Sequence, residues 1–185
     1  MKRYIVFAGV NGAGKTTLYQ TNDDFLEMQR INMDEIVREF GSWKISSDVS
    51  KAGKIAVNKI KRCFEENISF NQETTLCGKS IINHIKKAKK NQYRVELYYV
   101  GLDSVAIAKE RVAQRVKDGG HGIPDIDIER RYYESLKNLK GIIPLCDRVE
   151  IYDNTKYFRL VAIFDDGKCI ECCKDVPQWC RDIIN

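Results

Sequence analysis

The sequence predicts an α/β domain: a doubly wound, mostly parallel five-stranded sheet with a helical lid, a C-terminal β-hairpin and a short final helix. Three features of the chain point there. Gly9-Val10-Asn11-Gly12-Ala13-Gly14-Lys15-Thr16-Thr17 fits the phosphate-binding pattern G-x-x-x-x-G-K-[ST] at every fixed position. Strand-like and helical segments then alternate from Tyr4 to about Asn154, the pattern of a parallel sheet covered by helices. Near the C-terminus Asp165-Asp166-Gly167 separates two strand-like segments, a hairpin signal.

The elements follow in order. Tyr4-Ile5-Val6-Phe7-Ala8 is a continuous apolar run, as a strand buried on both faces requires. The glycines after it let backbone N–H groups close around phosphate oxygens, and the helix opening at Lys15 adds its positive end. Gly9, Asn11, Gly12, Ala13, Gly14, Lys15, Thr16 and Thr17 are therefore the nucleotide-binding candidates, in a P-loop NTPase fold. Lys15 is expected to reach the outer phosphates and Thr16 to offer its hydroxyl to Mg²⁺. Thr17 to Gln20 starts a short helix, broken by Thr21 to Asp24. Gln29 to Asp34 reads as a second strand ending in a carboxylate, and Glu35 to Phe40 continues helically to Gly41. Ile55, Ile60 and Phe64 recur at helical spacing, placing a longer helix from about Asp48 to Asn67.

Ser69 to Leu76 reads as a third strand, polar for one buried on both faces, as expected where a strand end carries function. Lys79 to Asn91 is a helix with Ile81, Ile82 and Ile85 on one side; Lys86, Lys87, Lys89 and Lys90 make a solvated face on the other. Arg94 to Leu102 is the fourth strand. Ser104 to Lys117 is a helix closed by Gly119-Gly120, and another begins near Asp125 after His121-Gly122-Ile123-Pro124. Arg148 to Asn154 is the fifth strand. Phe158 to Phe164 and Lys168 to Cys172 form the hairpin, and a short helix starts near Pro177. The expected organisation is a P-loop kinase-like domain over 1–155, its lid about 104–140, with 156–185 packed on it as an addition.

Composition narrows the setting. The chain has 185 residues and a net charge of +5, a mild bias compatible with a phosphate-rich ligand. Its seven cysteines are read as free thiols of a cytoplasmic protein, because nucleotide-binding proteins work in reducing surroundings. No apolar run approaches the ~20 residues of a membrane span. The dispersed basic residues and the lack of a stacking platform argue against nucleic acid.

Phosphoryl transfer needs a nucleotide cradle, a metal, positive charge on the moving group, and a residue that orients or deprotonates the acceptor. Asp34 and Glu73 both fall near the C-terminal ends of predicted strands, the edge where parallel sheets bind ligands. They are expected to divide the roles of acceptor base and magnesium-water ligand, in an order that depends on strand order. Arg38 and Thr74, close to them in sequence, join them as acceptor-side candidates. Arg111 and Arg115 stand one turn apart on one helix face. Arg130 and Arg131 follow the glycine-rich turn; being adjacent, they point about 100° apart, so one of the two is expected to reach the site. His121 is read either as an acid or as a positioning hydrogen bonder.

Gly9 to Thr17, Ile31-Asn32-Met33-Asp34-Glu35, Glu73-Thr74-Thr75-Leu76-x-Gly78, Arg111-x-x-x-Arg115-Val116-x-x-Gly119-Gly120-His121-x-Ile123-Pro124 with Arg130-Arg131-Tyr132, and Tyr152-Asp153-Asn154 together resemble the zeta-toxin-like P-loop kinases. The likeness is strongest to the stand-alone bacterial branch labelled predicted ABC-type ATPase or kinase. It implies ATP and Mg²⁺ as cofactors, Asp34 as base toward a sugar hydroxyl, and Glu73 as a holder of the substrate. It also implies phosphate contacts from Arg115 and one of Arg130 or Arg131, and places Asp153 and Asn154 near the adenine. Zeta toxins phosphorylate UDP-N-acetylglucosamine, which makes a sugar nucleotide the implied acceptor. A separate reading makes the chain chiefly a binding partner, for example one held inactive by an antitoxin-type protein. The lid turn and the tail hairpin depart from those toxins.

A competing reading is an ATP-hydrolysing switch of the ABC type. Against it, the chain lacks a Leu-Ser-Gly-Gly-Gln signature and a late apolar run ending in Asp-Glu.

Overall fold

Fifteen helices and strands order the chain in a computed structural model that describes residues 1–184, here labelled β1 (Arg3–Ala8), α1 (Lys15–Tyr19), α2 (Asp23–Leu26), β2 (Gln29–Ile31), α3 (Met33–Phe40), α4 (Ser46–Glu65), β3 (Phe70–Thr74), α5 (Lys79–Lys90), β4 (Arg94–Gly101), α6 (Val105–Lys117), α7 (Asp125–Ile142), β5 (Arg148–Asp153), β6 (Arg159–Asp165), β7 (Lys168–Cys172) and, after a 3₁₀ turn at Gln178–Cys180, the short α8 (Arg181–Ile184). The strands form one sheet in the order β2-β3-β1-β4-β5-β6-β7. The first five are parallel, β6 pairs antiparallel with β5, and β7 pairs antiparallel with β6.

The apolar run of β1 is explained by its central place between β3 and β4. Successive side chains of a strand leave opposite faces. Tyr4, Val6 and Ala8 enter one core with α3, α4 and α5, while Ile5 and Phe7 enter a second with α1, α2 and α6. β4 divides likewise, Val95, Leu97 and Tyr99 to the first core and Tyr98 and Val100 to the second. The polarity of β3 is also accounted for. Buried Asn71 donates to the Phe25 carbonyl at 3.0 Å, and the Tyr4 hydroxyl donates to Gln72 at 2.6 Å.

The sheet has seven strands, not the five expected. The hairpin extends the sheet: β6 pairs along the whole outer edge of β5, from Arg148 opposite Asp165 to Asp153 opposite Arg159. Its turn is of the expected kind, with Asp166 and Gly167 at φ +46° and +76°. A second correction concerns Asp34. The strand before it stops at Ile31, and the Asn32 side chain accepts from the Asp34 N–H at 2.8 Å, capping α3. Asp34 therefore lies in the first turn of a helix, not at a strand end. All seven cysteines are free. Among the described residues, no helix is long and apolar enough to cross a membrane.

The tail is anchored on the sheet. Trp179 lies over Gly101, where an added Cβ would come within 2.2 Å of the indole ring, and its Nε1–H donates to Asp153 at 3.1 Å. Gly101→Ala is expected to displace the ring and lower stability by about 2 kcal/mol, through overpacking. Urea denaturation followed by tryptophan emission checks this; an unchanged midpoint would show that the tail is not fixed there.

Candidate active site

The phosphate loop lies tight against its neighbours. Gly9 (φ +142°) and Gly14 (φ +98°) hold conformations that strain other residues, and a Cβ at Gly9 would fall 2.1 Å from the Val100 carbonyl oxygen. Asn154 donates from Nδ2 to the Ala13 carbonyl at 2.9 Å. Arg111 reaches across, its Nη2 donating to the carbonyls of Asn154 at 2.6 Å and Thr155 at 3.2 Å, with Nη1 3.5 Å from the Gly12 carbonyl. The loop thus rests on a brace made by α6 and the segment after β5. Lys15 is buried, and its Nζ donates back to the Val10 carbonyl at 3.1 Å. Burial lowers its pKa, opposed by the charges of Glu73 and Asp34, while Arg115 lowers it further.

The loop opens onto a cleft of about 930 Å³ whose walls include Lys15, Asp34, Glu73, Arg115, His121 and Arg131. Pairing of β2 with β3 and of β3 with β1 brings Glu73 beside the loop. Its Oε2 accepts from Arg30 Nη2 at 2.7 Å, Asn32 Nδ2 at 3.0 Å and the Thr16 hydroxyl at 3.1 Å, while Oε1 lies 3.4 Å from that hydroxyl. Arg30 is fixed in turn by Glu35 at 2.7 Å and by the Tyr19 ring, 3.6 Å below the guanidinium. One carboxylate oxygen is therefore committed and the other is left facing the Thr16 hydroxyl. Among the described residues no group of three or more His, Cys, Asp or Glu side chains is arranged to hold a metal. A cation at Thr16 and Glu73 would be completed by phosphate and water oxygens, which suits Mg²⁺.

Across the cleft, the His121 ring stacks on Trp43 with centroids 4.4 Å apart and planes 14° from parallel. Its Nε2 lies 3.2 Å from Arg115 Nη2 and 3.6 Å from Asp34 Oδ2, and its backbone carbonyl accepts from Arg115 Nε at 3.1 Å. Burial lowers the His121 pKa. Asp34 raises it, and Arg115, Arg38 and Arg131 lower it.

The two adjacent lid arginines make different contacts. Arg131 Nη1 donates to Asn11 of the phosphate loop at 3.2 Å. Arg130 stays on the rim, 56% exposed, between Asp127 at 3.1 Å and Glu134 at 3.0 Å. α7, which carries both, also holds the segment after β3. Glu134 accepts from the Gly78 N–H at 2.7 Å and Asn138 donates to the Leu76 carbonyl at 2.8 Å, keeping Leu76 at φ +62°. Thr74, whose hydroxyl accepts from the Leu76 N–H at 3.1 Å, is thereby presented at the cleft wall.

Of the candidates read from sequence, Asn11, Gly12, Gly14, Lys15, Thr16, Asp34, Glu73, Thr74, Arg115, Arg130 and Arg131 all border the cleft. Gly9 and Ala13 belong to the loop behind it, and Thr17 to α1. Arg38 lies instead in the adjoining groove with Lys44 and Trp43. Asp153 is buried away from the cleft wall, its carboxylate accepting from the Thr155 hydroxyl at 2.6 Å and Trp179, with Arg159 at 3.5 Å; Asn154 braces the loop. Sequence reasoning missed Arg30, Asn32 and Trp43. Asn32 had a legible signal, since Asn with Glu three residues on is a helix-start pattern. Arg30 and Trp43 had none.

Comparison with known proteins bears on the family and the fold. The family model described as Zeta toxin matches residues 2–163. A Haemophilus influenzae protein described only as uncharacterized is 35% identical over 128 residues, covering 69% of this chain and 91% of that one. The crystal structure of the AvrRxo1-ORF1:-ORF2 complex with ATP superposes with a TM-score of 0.75 at 14% identity, covering 91% of this chain and 60% of that chain. This chain thus spans less than two thirds of that protein. A structure of the PezAT chromosomal toxin–antitoxin system of Streptococcus pneumoniae gives a TM-score of 0.62 at 16% identity, over 100% of this chain and 77% of that one. At such identities the superpositions establish the fold, and the family match extends over nearly the whole chain. The chain therefore belongs to the zeta toxin family of P-loop kinases.

Proposed function

We propose that the protein transfers the γ-phosphate of ATP to a hydroxyl of a sugar or sugar nucleotide, with Asp34 as base. The observation that carries this reading is the Asp34 carboxylate on the wall of the same cleft as the phosphate loop. At about 930 Å³ that cleft is near the upper end of the roughly 300–1,000 Å³ usual for small-molecule sites, which favours two substrates over one.

In the proposed reaction, the acceptor O–H gives its proton to Asp34 as its oxygen bonds to the γ-phosphorus. The bond from that phosphorus to the β,γ-bridging oxygen breaks, and ADP leaves with the electron pair. Lys15 and Arg131 supply positive charge to the transferring group, and the loop amides hold the nucleotide. Thr16 and Glu73 would hold magnesium, which would supply charge neutralisation to the phosphates. Arg115 stands on the opposite wall as a further cation. The PezAT structure is of a toxin–antitoxin system and the AvrRxo1 structure of a two-protein complex, which supports an antitoxin-type partner for this chain too. No feature of the site favours the ATP-hydrolysing switch.

Incubation with labelled ATP, Mg²⁺ and a panel of sugar nucleotides and nucleosides is expected to yield a phosphorylated small molecule. ATP hydrolysis with no phosphorylated product from any acceptor would count against the reading. The lid arginines give a sharper contrast. Arg131→Ala is expected to lower kcat about 100-fold, as loss of one transition-state donor does. Arg130→Ala, which removes an exposed cation already paired with two carboxylates, should change it only severalfold. Equal losses would refute the assignment of Arg131.

A further inference from the structure

We propose that His121 is a positioning residue for Asp34: stacked on Trp43, its neutral ring accepts a hydrogen bond from Arg115, which keeps the guanidinium off the carboxylate and leaves Asp34 free to take a proton. The inference rests on the reading of Asp34 as the acceptor base.

Geometry sets the competition. Arg115 Nη2 and Asp34 Oδ2 approach the same ring nitrogen, at 3.2 Å and 3.6 Å. Nε2 cannot serve both in one state. As an acceptor it takes the guanidinium N–H; carrying a proton it donates to the carboxylate and repels the guanidinium. A free Arg115 would pair with Asp34, because Arg–carboxylate pairing is the strong alternative whenever both are unoccupied. That pair would cover the lone pairs on which general-base catalysis depends. Stacking removes the ring's freedom to avoid the choice, since Trp43 comes from the loop between α3 and α4, and His121 from the loop between α6 and α7. A second tie, Arg115 Nε to the His121 carbonyl at 3.1 Å, holds the arginine to the same loop.

The charged groups around the ring favour the neutral state. Arg38 shares α3 with Asp34, Arg115 stands on α6 and Arg131 on α7; these three cations outnumber the single carboxylate, and burial acts in the same direction. Protonation of His121 converts Nε2 from acceptor to donor and ties up Asp34. Activity is therefore expected to be lost as pH falls through the His121 pKa, which lies below the ordinary histidine value. Replacing Asp34 by Asn removes the one group that raises that pKa, so it should fall further.

The chain has two histidines, His84 and His121, so ¹⁵N-histidine spectra resolve each ring. In the full-length wild-type protein at pH 7.5, His121 is expected to be neutral with the proton on Nδ1. An Nε2–H tautomer or an imidazolium would overturn the proposal without touching the kinase reading. Kinetics supply the second arm, with ATP and Mg²⁺ as the probe and water as the acceptor. His121→Phe keeps a ring to stack on Trp43 but no acceptor; kcat should fall about 100-fold while KM for ATP holds, the cost of a misplaced catalytic group. His121→Gln places an amide oxygen where Nε2 stood and should retain activity within severalfold. If Phe supports wild-type turnover, stacking alone matters and the proposal fails. If Asp34→Asn leaves turnover unchanged, it is the base assignment that falls.

Discussion

Asp34→Asn is expected to lower phosphoryl transfer by roughly 10²- to 10⁴-fold, the contribution of a positioned general base, with ATP affinity unaltered. The separation of the two effects comes from where the residue stands. Asp34 lies in the first turn of α3, across the cleft from the phosphate loop, and its recorded polar neighbours are the Asn32 cap and His121. Asn conserves the size of the side chain and the cap, which uses the backbone N–H. Product formation from labelled ATP measures the first effect and nucleotide titration the second. Unchanged transfer in this variant removes Asp34 as the base, and a parallel loss of ATP affinity would place it on the nucleotide side.

The other large effect is structural. Arg30→Met should destabilise the protein by about 3 kcal/mol, because breaking a buried ion pair leaves an uncompensated charge. Arg30 and Glu73 have side chains only 9% and 12% exposed, and they meet at 2.7 Å. Met keeps apolar bulk over the Tyr19 ring, so the loss isolates the charge. Adding Glu73→Gln should recover part of it, since the two substitutions act on one interaction. Chemical denaturation of the two single variants and the double variant measures the coupling. A loss below about 1 kcal/mol for Arg30→Met would mean that Glu73 finds other partners, and the pair would then be as weak as an exposed one.

The fold was legible where one local signal sufficed. Tyr4 to Ala8 of β1 is a continuous apolar run because that strand is buried on both faces, and Asp166-Gly167 announced the hairpin turn through the backbone it needs. The strand count was misjudged for a physical reason. Nothing in β6 says that its partner is β5 rather than solvent, because register is settled by tertiary packing. The site followed the same division. Lys15, Thr16, Asp34, Glu73 and Arg131 belong to motifs with fixed spacing, and the structure brings them to one cleft. Arg30 and Trp43 act through neighbours 43 and 78 positions away, Glu73 and His121, so no window of sequence contains their purpose. Asp153, by contrast, is of a residue type that suits a ligand site, yet its oxygens serve Thr155, Trp179 and Arg159.

The brace beneath the phosphate loop bears on how the protein matures. Ala13 and the side chain that holds its carbonyl, Asn154, are 141 positions apart, and Gly12 and Arg111 are 99 apart. During synthesis the glycine-rich stretch leaves the ribosome well before its support does. Contacts so distant along the chain form slowly, because closing the intervening loop costs entropy first. A nascent chain that ends before Asn154 thus carries the whole nucleotide motif without a platform to hold it in shape. Competence to engage nucleotide arrives only once translation has passed the fifth strand.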